Sequence, residues 1–393
     1  MLADLGRTVA ELDAWIERQG FRGWDPFDAM NSGILKGLTG SNRRLGQALV
    51  QAFKRCPINL RPFMGVRKGY NPKGMGLFMA SYARKYLMTG LPRHAEQVRF
   101  LAHWLCENAS PGYSGACWGY NFDWPNRGFF APAGTPTTVN TAFIALAFLD
   151  LVKLLGKQTC ANWGLDPVRV AQSACQFVLK DLRRLCPAAD EVCFSYTPLD
   201  RRFIHNANLM GAWLLAEVGE MTSDDDLRKV ALFCSRYTAR RQNRDGAWLY
   251  GEGNSDRWVD NFHTGYVLVA LRSISSLLRT REFDEAILRG YSFWKQHLLT
   301  SNGVPKYYPN STYPIDVHSA AQAILTFLVF TADDRDAASN ARRMAVWVQN
   351  MRSREGYFHY QIHRTFRIRI PYMRWSQAWM QRALVELAWK GLL

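Results

Sequence analysis

The distribution of apolar and polar positions predicts helices of two kinds. In the first kind, a short polar cluster leads into an Ala/Leu-rich stretch that is apolar nearly all round, as at 139–148 and 262–271. Helices apolar on all faces are typical of elements buried on both sides. The second kind carries charges on one face, such as Arg228 and Lys229 in 224–240. A helix of this second kind precedes each apolar helix.

This pairing recurs six times. The polar starts of the apolar helices are marked by Met75, Asn140, Asn206, His263, His318 and Ser376, at spacings of 65, 66, 57, 55 and 58 residues. The amphipathic partners are expected at 42–54, 94–108, 167–184, 224–240, 282–299 and 333–352.

A helix hairpin of this length cannot bury both of its faces alone, whereas six hairpins stacked in a ring can. We therefore predict an all-α fold, an (α/α)6 toroid built from six helix hairpins over 41–393, with charged helices outside and apolar helices inside. Residues 1–40 are expected to form an N-terminal helical lead-in. An open superhelical array is the alternative, although its repeats are usually shorter and more uniform.

Long connections run from each amphipathic helix to the next apolar one. They are rich in Gly and aromatic residues and cover 110–138, 186–204, 242–261, 301–316 and 353–374. Connections of this length inside a compact domain are usually functional. In a toroid they rim one mouth of the central cavity, and the polar helix starts form its floor, so the sequence predicts a substrate site there.

Composition narrows the partners and the compartment. Of the 393 residues, 48% are hydrophobic and 21% charged, which excludes a disordered or coiled-coil chain, and the net charge of +16 points to an anionic partner. No nucleic-acid module is recognisable, so we expect a polyanionic glycan rather than nucleic acid. The eight cysteines include no C-x-x-C pair and the first residues do not read as a signal peptide. These features predict a cytoplasmic protein, with peripheral membrane association through the basic surface left open.

Aromatic and hydrogen-bonding side chains converge on the predicted mouth. Flat rings stack on pyranose faces, and Asn, Asp and His bond sugar hydroxyls, whereas the alternative for any single ring is packing between hairpins. The predicted substrate-binding residues are Trp118, Tyr120, Asp123, Asn140, His205, Asn206, Trp248, Tyr250, Glu252, Tyr307, Asp316 and Arg367.

Histidines recur at equivalent points of three repeats, as His205, His263 and His318. Helix capping, proton transfer in the cavity and a three-histidine metal site are the competing interpretations. A metal is the least favoured, because neighbouring helix starts are too far apart for bonds of ~2 Å to one ion, so we predict neither metal nor cofactor. Asp260 and Asp316 precede two of these histidines, where a carboxylate can orient an imidazole as a general base or act as an N-cap.

Some segments resemble known toroid proteins. QNRDGAW at 242–248 has the Q-x3-G-x-W form of the squalene and terpene cyclase repeat, which implies an α/α toroid, although SDDD at 223–226 does not match the D-x-D-D acid of those enzymes. Over 20–390 the chain resembles bacterial toroid proteins associated with surface-polysaccharide genes, through CPINLRP (56–62), HNANL (205–209), WVDNFHTGY (258–266) and YPIDVHSAAQAI (313–324). The layout is also similar to toroid enzymes acting on uronic acids, among them glucuronyl C5-epimerases, lyases and unsaturated glucuronyl hydrolases.

Together these features predict a carbohydrate-active enzyme for an anionic oligosaccharide or polysaccharide, most simply a uronyl C5-epimerase or lyase. Abstraction of a proton next to a carboxylate needs a cation, a base and an acid. We assign Arg374 or a neighbouring arginine as the cation, His263 oriented by Asp260 as the base, and Tyr360 or His318 as the acid.

Three alternatives remain at this stage. A hydrolase would use two facing carboxylates, drawn from Asp123, Asp200, Glu252 and Asp316. A terpene-cyclase-like enzyme would have an apolar, aromatic cavity. A non-catalytic subunit would bind glycan without converting it.

Overall fold

The computed structural model describes residues 2–40, 42–126 and 129–393. The α-helices, in chain order, are α1 (Leu2–Arg18), α2 (Gly33–Thr39), α3 (Arg43–Arg55), α4 (Pro72–Thr89), α5 (Pro92–Glu107), α6 (Thr138–Leu155), α7 (Lys157–Asn162), α8 (Pro167–Lys180), α9 (His205–Thr222), α10 (Asp225–Ala239), α11 (Asn261–Leu277), α12 (Asp284–His297), α13 (Val317–Val329), α14 (Ala337–Trp347) and α15 (Trp379–Trp389). A π-helical stretch, Met373–Ala378, leads into α15.

Six helices form a closed inner ring. They are α4, α6, α9, α11, α13 and α15; each packs on the next, and α15 packs back on α4. The ring closure confirms the predicted (α/α)6 toroid and excludes the open superhelix. The apolar sequence of these helices follows from their place, because each contacts two ring neighbours and an outer helix.

The outer layer follows the same order. Helices α5, α8, α10, α12 and α14 pack on α4, α6, α9, α11 and α13 respectively. The outer helix beside α15 is α1, whose Asp13 forms an ion pair with Lys85 of α4 and whose Glu17 accepts a hydrogen bond from Tyr82 at 2.8 Å. The two ends of the chain therefore meet where the ring closes, and a helix expected in the lead-in lies in the outer layer.

The helix expected at 42–54 forms, as α3, but it does not lie in the outer layer. Its Val50 and Phe53 are buried in a small cluster with Ala29, Met30 and Leu35, separate from the main core. We refer to residues 25–40 and 42–66, which contain α2, α3 and a 3-10 turn at Asp28–Asn31, as the cap. The cap lies over the mouth and has an apolar core of its own, apart from that of the ring.

Two buried ion pairs hold the cap. Within it, Arg61 donates to Asp28 at 2.5 Å. At its edge, Asp25 accepts two hydrogen bonds from Arg374 of the π-helical stretch, at 2.6 and 2.8 Å. The cap is therefore joined by charge to the last inner helix.

Small antiparallel sheets brace the long connections. The first pairs β1 (Trp124–Pro125) with β2 (Phe130–Ala131), and the second pairs β3 (Arg184–Leu185) with β4 (Cys193–Phe194). In the third, β6 (Gln361–Ile362) lies between β5 (Ile315–Asp316) and β7 (Arg367–Ile368). The three-stranded sheet joins connections 301–316 and 353–374. In the ring, α6 is long and apolar enough to span a membrane by length and composition, and 61% of that stretch is buried among its neighbours.

Candidate active site

A cavity of about 540 Å³ occupies the predicted mouth, beneath the cap. Its floor is made by the second residue of five inner helices, namely Lys73, Val139, Asn206, Phe262 and His318. Each of these helices follows a long connection and begins at the same level of the ring, so its second residue faces the ring axis. The expectation that the polar helix starts line this mouth is thereby confirmed for Asn206 and His318.

His263 and Asp260 form a hydrogen-bonded dyad on the cavity wall. Nδ1 of His263 lies 2.7 Å from one oxygen of Asp260, whose other oxygen accepts the His263 backbone N–H at 3.0 Å. Asp260 therefore caps α11 and orients the imidazole at once, combining the two interpretations. The His263 side chain is 23% exposed and lines the cavity, which leaves Nε2 for a ligand.

A second imidazole, His318, lines the same cavity. Its Nε2 lies 2.5 Å from the hydroxyl of Tyr266, and its ring and that of His263 both contact Phe262, at 4.7 and 4.2 Å between centroids. Burial, reinforced by the charge of Lys73 and Arg374, holds the pKa of His318 well below its usual range. Burial raises the pKa of Tyr266, so the neutral phenol donates to the neutral imidazole.

Two lysines that the sequence analysis did not predict line the cavity. The ammonium of Lys54, on the cap, lies over the rings of Phe27 and Trp375, at 4.7 and 5.6 Å, with no hydrogen-bond partner among the described residues. Burial lowers its pKa to about 8, against the opposing charge of Asp316, so it remains largely protonated at neutral pH. Lys54 is thus a cation available to a ligand.

Lys73 is the more deeply buried of the two lysines. Its amine lies 4.2 Å from the ring centroid of Phe143 and within about 5.4 Å of those of Tyr266 and Trp379. Burial and the charge of Arg374 hold its pKa well below the usual range. The sequence carried a signal for Lys73, a basic residue in the first turn of a helix whose next ten residues carry no charge, whereas Lys54 was hidden by the assignment of its helix to the outer layer.

Arg374 lines the cavity, but its charge is engaged. Its guanidinium is 2% exposed, donates twice to Asp25, and lies over the rings of Tyr120 and Trp375 at 5.0 and 5.1 Å. Because Asp25 already neutralises it, Arg374 links the cap to the ring, and Lys54 is better placed to meet a substrate anion.

Aromatic rings cover the rest of the wall. Tyr250 stacks on Trp258 at 4.5 Å, and Tyr120 stacks on Phe122 at 5.0 Å. Tyr307 completes this surface, and all five rings line the cavity. Stacked rings of this kind offer flat apolar faces to a ligand.

Several predicted binding residues lie elsewhere. Trp118 and Trp248 are buried and donate to the carbonyls of Leu105 and Thr238, as the packing interpretation requires. Asn140 is buried in α6, outside the cavity. Arg367 is exposed, also outside the cavity, and donates to the Asn350 carbonyl. Tyr360 is fully buried against Tyr372 and does not line the cavity.

The carboxylates proposed for hydrolysis do not converge. Asp123 pairs with Lys36 at 2.8 Å, Glu252 is bonded to His205 at 2.8 Å, and Asp316 accepts from Gln361 and Trp375. Asp200 is bonded within its own loop to Thr197. Among the described residues that line the cavity, Asp260 is the one acidic side chain, so a facing carboxylate pair is not formed.

The three histidines do not form a common site. His205 is bonded to Glu252, His263 to Asp260 and His318 to Tyr266. Across residues 2–40, 42–126 and 129–393, no group of three His, Cys, Asp or Glu side chains is placed to hold a metal ion.

Comparison with known proteins finds similarity of structure but not of sequence. No family model matches, and no curated protein matches significantly. The fold is similar to that of cellobiose 2-epimerase from Bacillus thermoamylovorans B4167, with a TM-score of 0.62 and 10% identity over 82% of this chain and 90% of that one. It is also similar to a D-mannose isomerase, with a TM-score of 0.59 and 12% identity over 81% and 87%.

A third similar structure is the unsaturated glucuronyl hydrolase of Bacillus sp. GL1, with a TM-score of 0.56 and 13% identity over 79% of this chain and 85% of that one. At these identities the similarity establishes the shared α/α toroid. The predicted kinship with toroid proteins is therefore confirmed at the level of fold.

Proposed function

We propose that this toroid is an enzyme that removes a proton from a carbon of an anionic sugar, most simply C5 of a uronate residue. The observation that carries the proposal is the His263–Asp260 dyad, which shares one cavity with the ammonium of Lys54. A base and a cation are two of the groups that this chemistry requires.

A sugar suits the cavity in size and surface. Ligand sites for small molecules typically measure roughly 300–1,000 Å³, and this one measures about 540 Å³. The stacked rings of Tyr250 and Trp258 offer flat faces for a pyranose. Similar folds are found in enzymes whose names refer to cellobiose, D-mannose and unsaturated glucuronyl groups, which supports a sugar substrate.

The proposed step starts at a C–H bond next to a carboxylate. Lys54 offsets the carboxylate charge and the negative charge that develops when the proton leaves. Nε2 of His263 accepts the proton, and Asp260 stabilises the resulting imidazolium through Nδ1. Return of a proton to the opposite face gives the C5 epimer, whereas loss of the C4 substituent gives an unsaturated product.

The acid is proposed to be the hydroxyl of Tyr266, in place of Tyr360. It lies at the cavity floor and is bonded to His318 at 2.5 Å. When Tyr266 gives its proton to the sugar carbon it becomes a phenolate, and His263 holds the proton taken from the substrate. Once the product leaves, exchange with water returns a proton to Tyr266 and removes one from His263.

A second candidate reaction is proton transfer at C2 of an aldose, giving an epimer or a ketose. Two imidazoles in one cavity, His263 and His318, favour it, because each can exchange a proton with the same carbon skeleton. In that case Lys54 would bind a phosphate or carboxylate carried elsewhere on the sugar.

Proton NMR in D2O distinguishes these reactions. We expect deuterium at C5 when the protein is incubated with glucuronate-containing oligosaccharides, and deuterium at C2 of an aldose such as cellobiose for the second candidate. His263→Ala should abolish exchange and Lys54→Gln should weaken it for anionic sugars. The matched control is His103→Ala on outer helix α5, where the imidazole is bonded to the Trp163 carbonyl.

The outcomes are separable. Exchange at C5 that depends on His263 supports the main proposal, and exchange at C2 replaces it with the second. Absence of exchange into any of these sugars, with a folded protein, would overturn both.

A further inference from the structure

The opposite mouth of the toroid holds a second cavity, of about 920 Å³. Tyr266 lines both cavities, and beside it Phe143 and Trp379 surround the amine of Lys73 at the boundary between them. The second cavity is therefore separate from the site proposed above, and none of the predicted roles involves it.

The wall of this cavity is apolar in its deeper half. The sixth and ninth residues of the inner helices point to the ring axis, and they include Phe143, Leu146, Trp213, Val269 and Leu325. These side chains stay partly exposed in helices that are otherwise almost entirely buried. Apolar surface kept in contact with water is unfavourable, and a large patch of it marks a binding site.

Polar groups in the same wall lack partners. Nε1 of Trp213 and Oγ of Ser275 are buried with no hydrogen-bond partner in the described part of the chain, and both residues line the cavity. Such groups are rare in folded proteins unless a ligand or water bonds them.

The rim is charged and carries more cations than anions. Seven basic and four acidic side chains are found among the described residues that line the cavity. Arg84 and Asp150 form an ion pair at 3.0 Å, and Arg84 also pairs with Glu386 at 2.7 Å. Arg281 at the edge is 95% exposed although it pairs with Asp284 at 3.1 Å, and Lys390 is exposed as well, so part of the positive charge is open to solvent.

Because the cavity is apolar in its deeper half and basic at its rim, we propose that it binds a single-chain anionic amphiphile. The hydrocarbon chain would lie among the apolar residues, and the carboxylate or phosphate would lie at the basic rim. The chain would cover Leu146, Val269 and Leu325. The head group would meet Arg281 and Lys390, which lie at the rim.

The test uses the full chain and a fluorescent fatty acid, cis-parinaric acid. We expect saturable binding of one probe per chain, with displacement by dodecanoate or dodecyl phosphate and much weaker displacement by dodecanol. Stronger displacement by dodecanoate than by dodecyl phosphate would identify a carboxylate head group, and the reverse order would identify a phosphate. Displacement by dodecanol equal to that by both anions would overturn the anionic part of the proposal.

Two kinds of variant locate the probe. Val269→Trp fills the cavity and should weaken probe binding by about tenfold or more, whereas Leu288→Trp, at a half-exposed position on α12, should leave it unchanged. Arg281→Glu with Lys390→Glu, both at solvent-exposed positions, should weaken dodecanoate but not dodecanol. Arg169→Glu on the outer helix α8 is the control for charge reversal.

The fold of each variant is checked by circular dichroism and thermal unfolding. His263→Ala should bind the probe as the unchanged chain does, so the result is independent of the proposed enzymatic activity. Probe binding that is unsaturable, that survives both Val269→Trp and the rim reversal, or that is lost in His263→Ala would overturn the inference.

Discussion

Removal of the Asp25 carboxylate tests the structural link between the cap and the ring. In Asp25→Ala the guanidinium of Arg374, 2% exposed, loses both of its short hydrogen bonds. Removing one partner of a buried ion pair costs about 3–5 kcal/mol, because the other charge stays buried without compensation. The rings of Tyr120 and Trp375 lie over Arg374 with or without Asp25 and so do not change this difference. We therefore expect a loss of about 3–5 kcal/mol in the free energy of unfolding.

The measurement is urea unfolding followed by circular dichroism, with limited proteolysis to find which segment loosens first. Proteolytic cleavage within the cap should become faster, because Asp25 no longer binds Arg374 before the last inner helix. Asp25→Ala/Arg374→Met removes both charges and should be more stable than Asp25→Ala alone. Lys36→Ala, which breaks the half-exposed pair with Asp123, should cost at most about 1 kcal/mol. A loss below about 1 kcal/mol in Asp25→Ala, or a double variant as unstable as the sum of the single ones, would refute this reasoning.

Three further predictions concern the site and the packing. Affinity for a uronate, measured by calorimetry, should fall as the pH rises through about 8, because Lys54 then loses its proton, and Lys54→Arg should remove that dependence. Asp260→Asn should lower kcat by about 100-fold, while thermal unfolding changes little because Asn is an equally good N-cap; unchanged kcat would count against the dyad. Gly290→Ala should destabilise the fold by about 1–3 kcal/mol, since its Cβ would lie 2.2 Å from the buried ring of Trp248, whereas Gly37→Ala, with nothing within 4 Å, should be neutral in the same unfolding assay.

The ring of helices could be predicted from the sequence because several features recur together in each repeat. Apolar helices, their polar starts and the long connections recur together, and the length and unevenness of the repeats favoured a closed ring over an open superhelix. The polar starts also located the mouth. His263 and Asp260 could be placed together, because Asp260 stands at a predicted helix start and an N-cap carboxylate bonds the third residue after it.

The rest depended on contacts between distant parts of the chain. The exchange of α1 and α3 could not be predicted, since both are amphipathic helices and only the separate cluster around Val50 and Phe53 sets α3 apart. Consequently Lys54 was not expected in the cavity. Asp25 was likewise unforeseen as the partner of Arg374, 349 residues away, and without that partner Arg374 looked available to a substrate.

The two cavities arise from one helix register. Side chains at positions two, six and nine of the inner helices face the same axis, and along that axis they change from hydrogen-bonding groups such as Asn206 and His318 to apolar groups such as Leu146 and Val269. If the inner helices served only to form a hydrophobic core, the side chains at position two would be apolar as well, because burying an imidazole or an amine without a partner costs free energy. The polar layer therefore supports the proposed sugar site. The partly exposed apolar layer beyond it supports the proposed amphiphile site by the same argument, and the parinaric acid titration and the D2O exchange test the two layers separately.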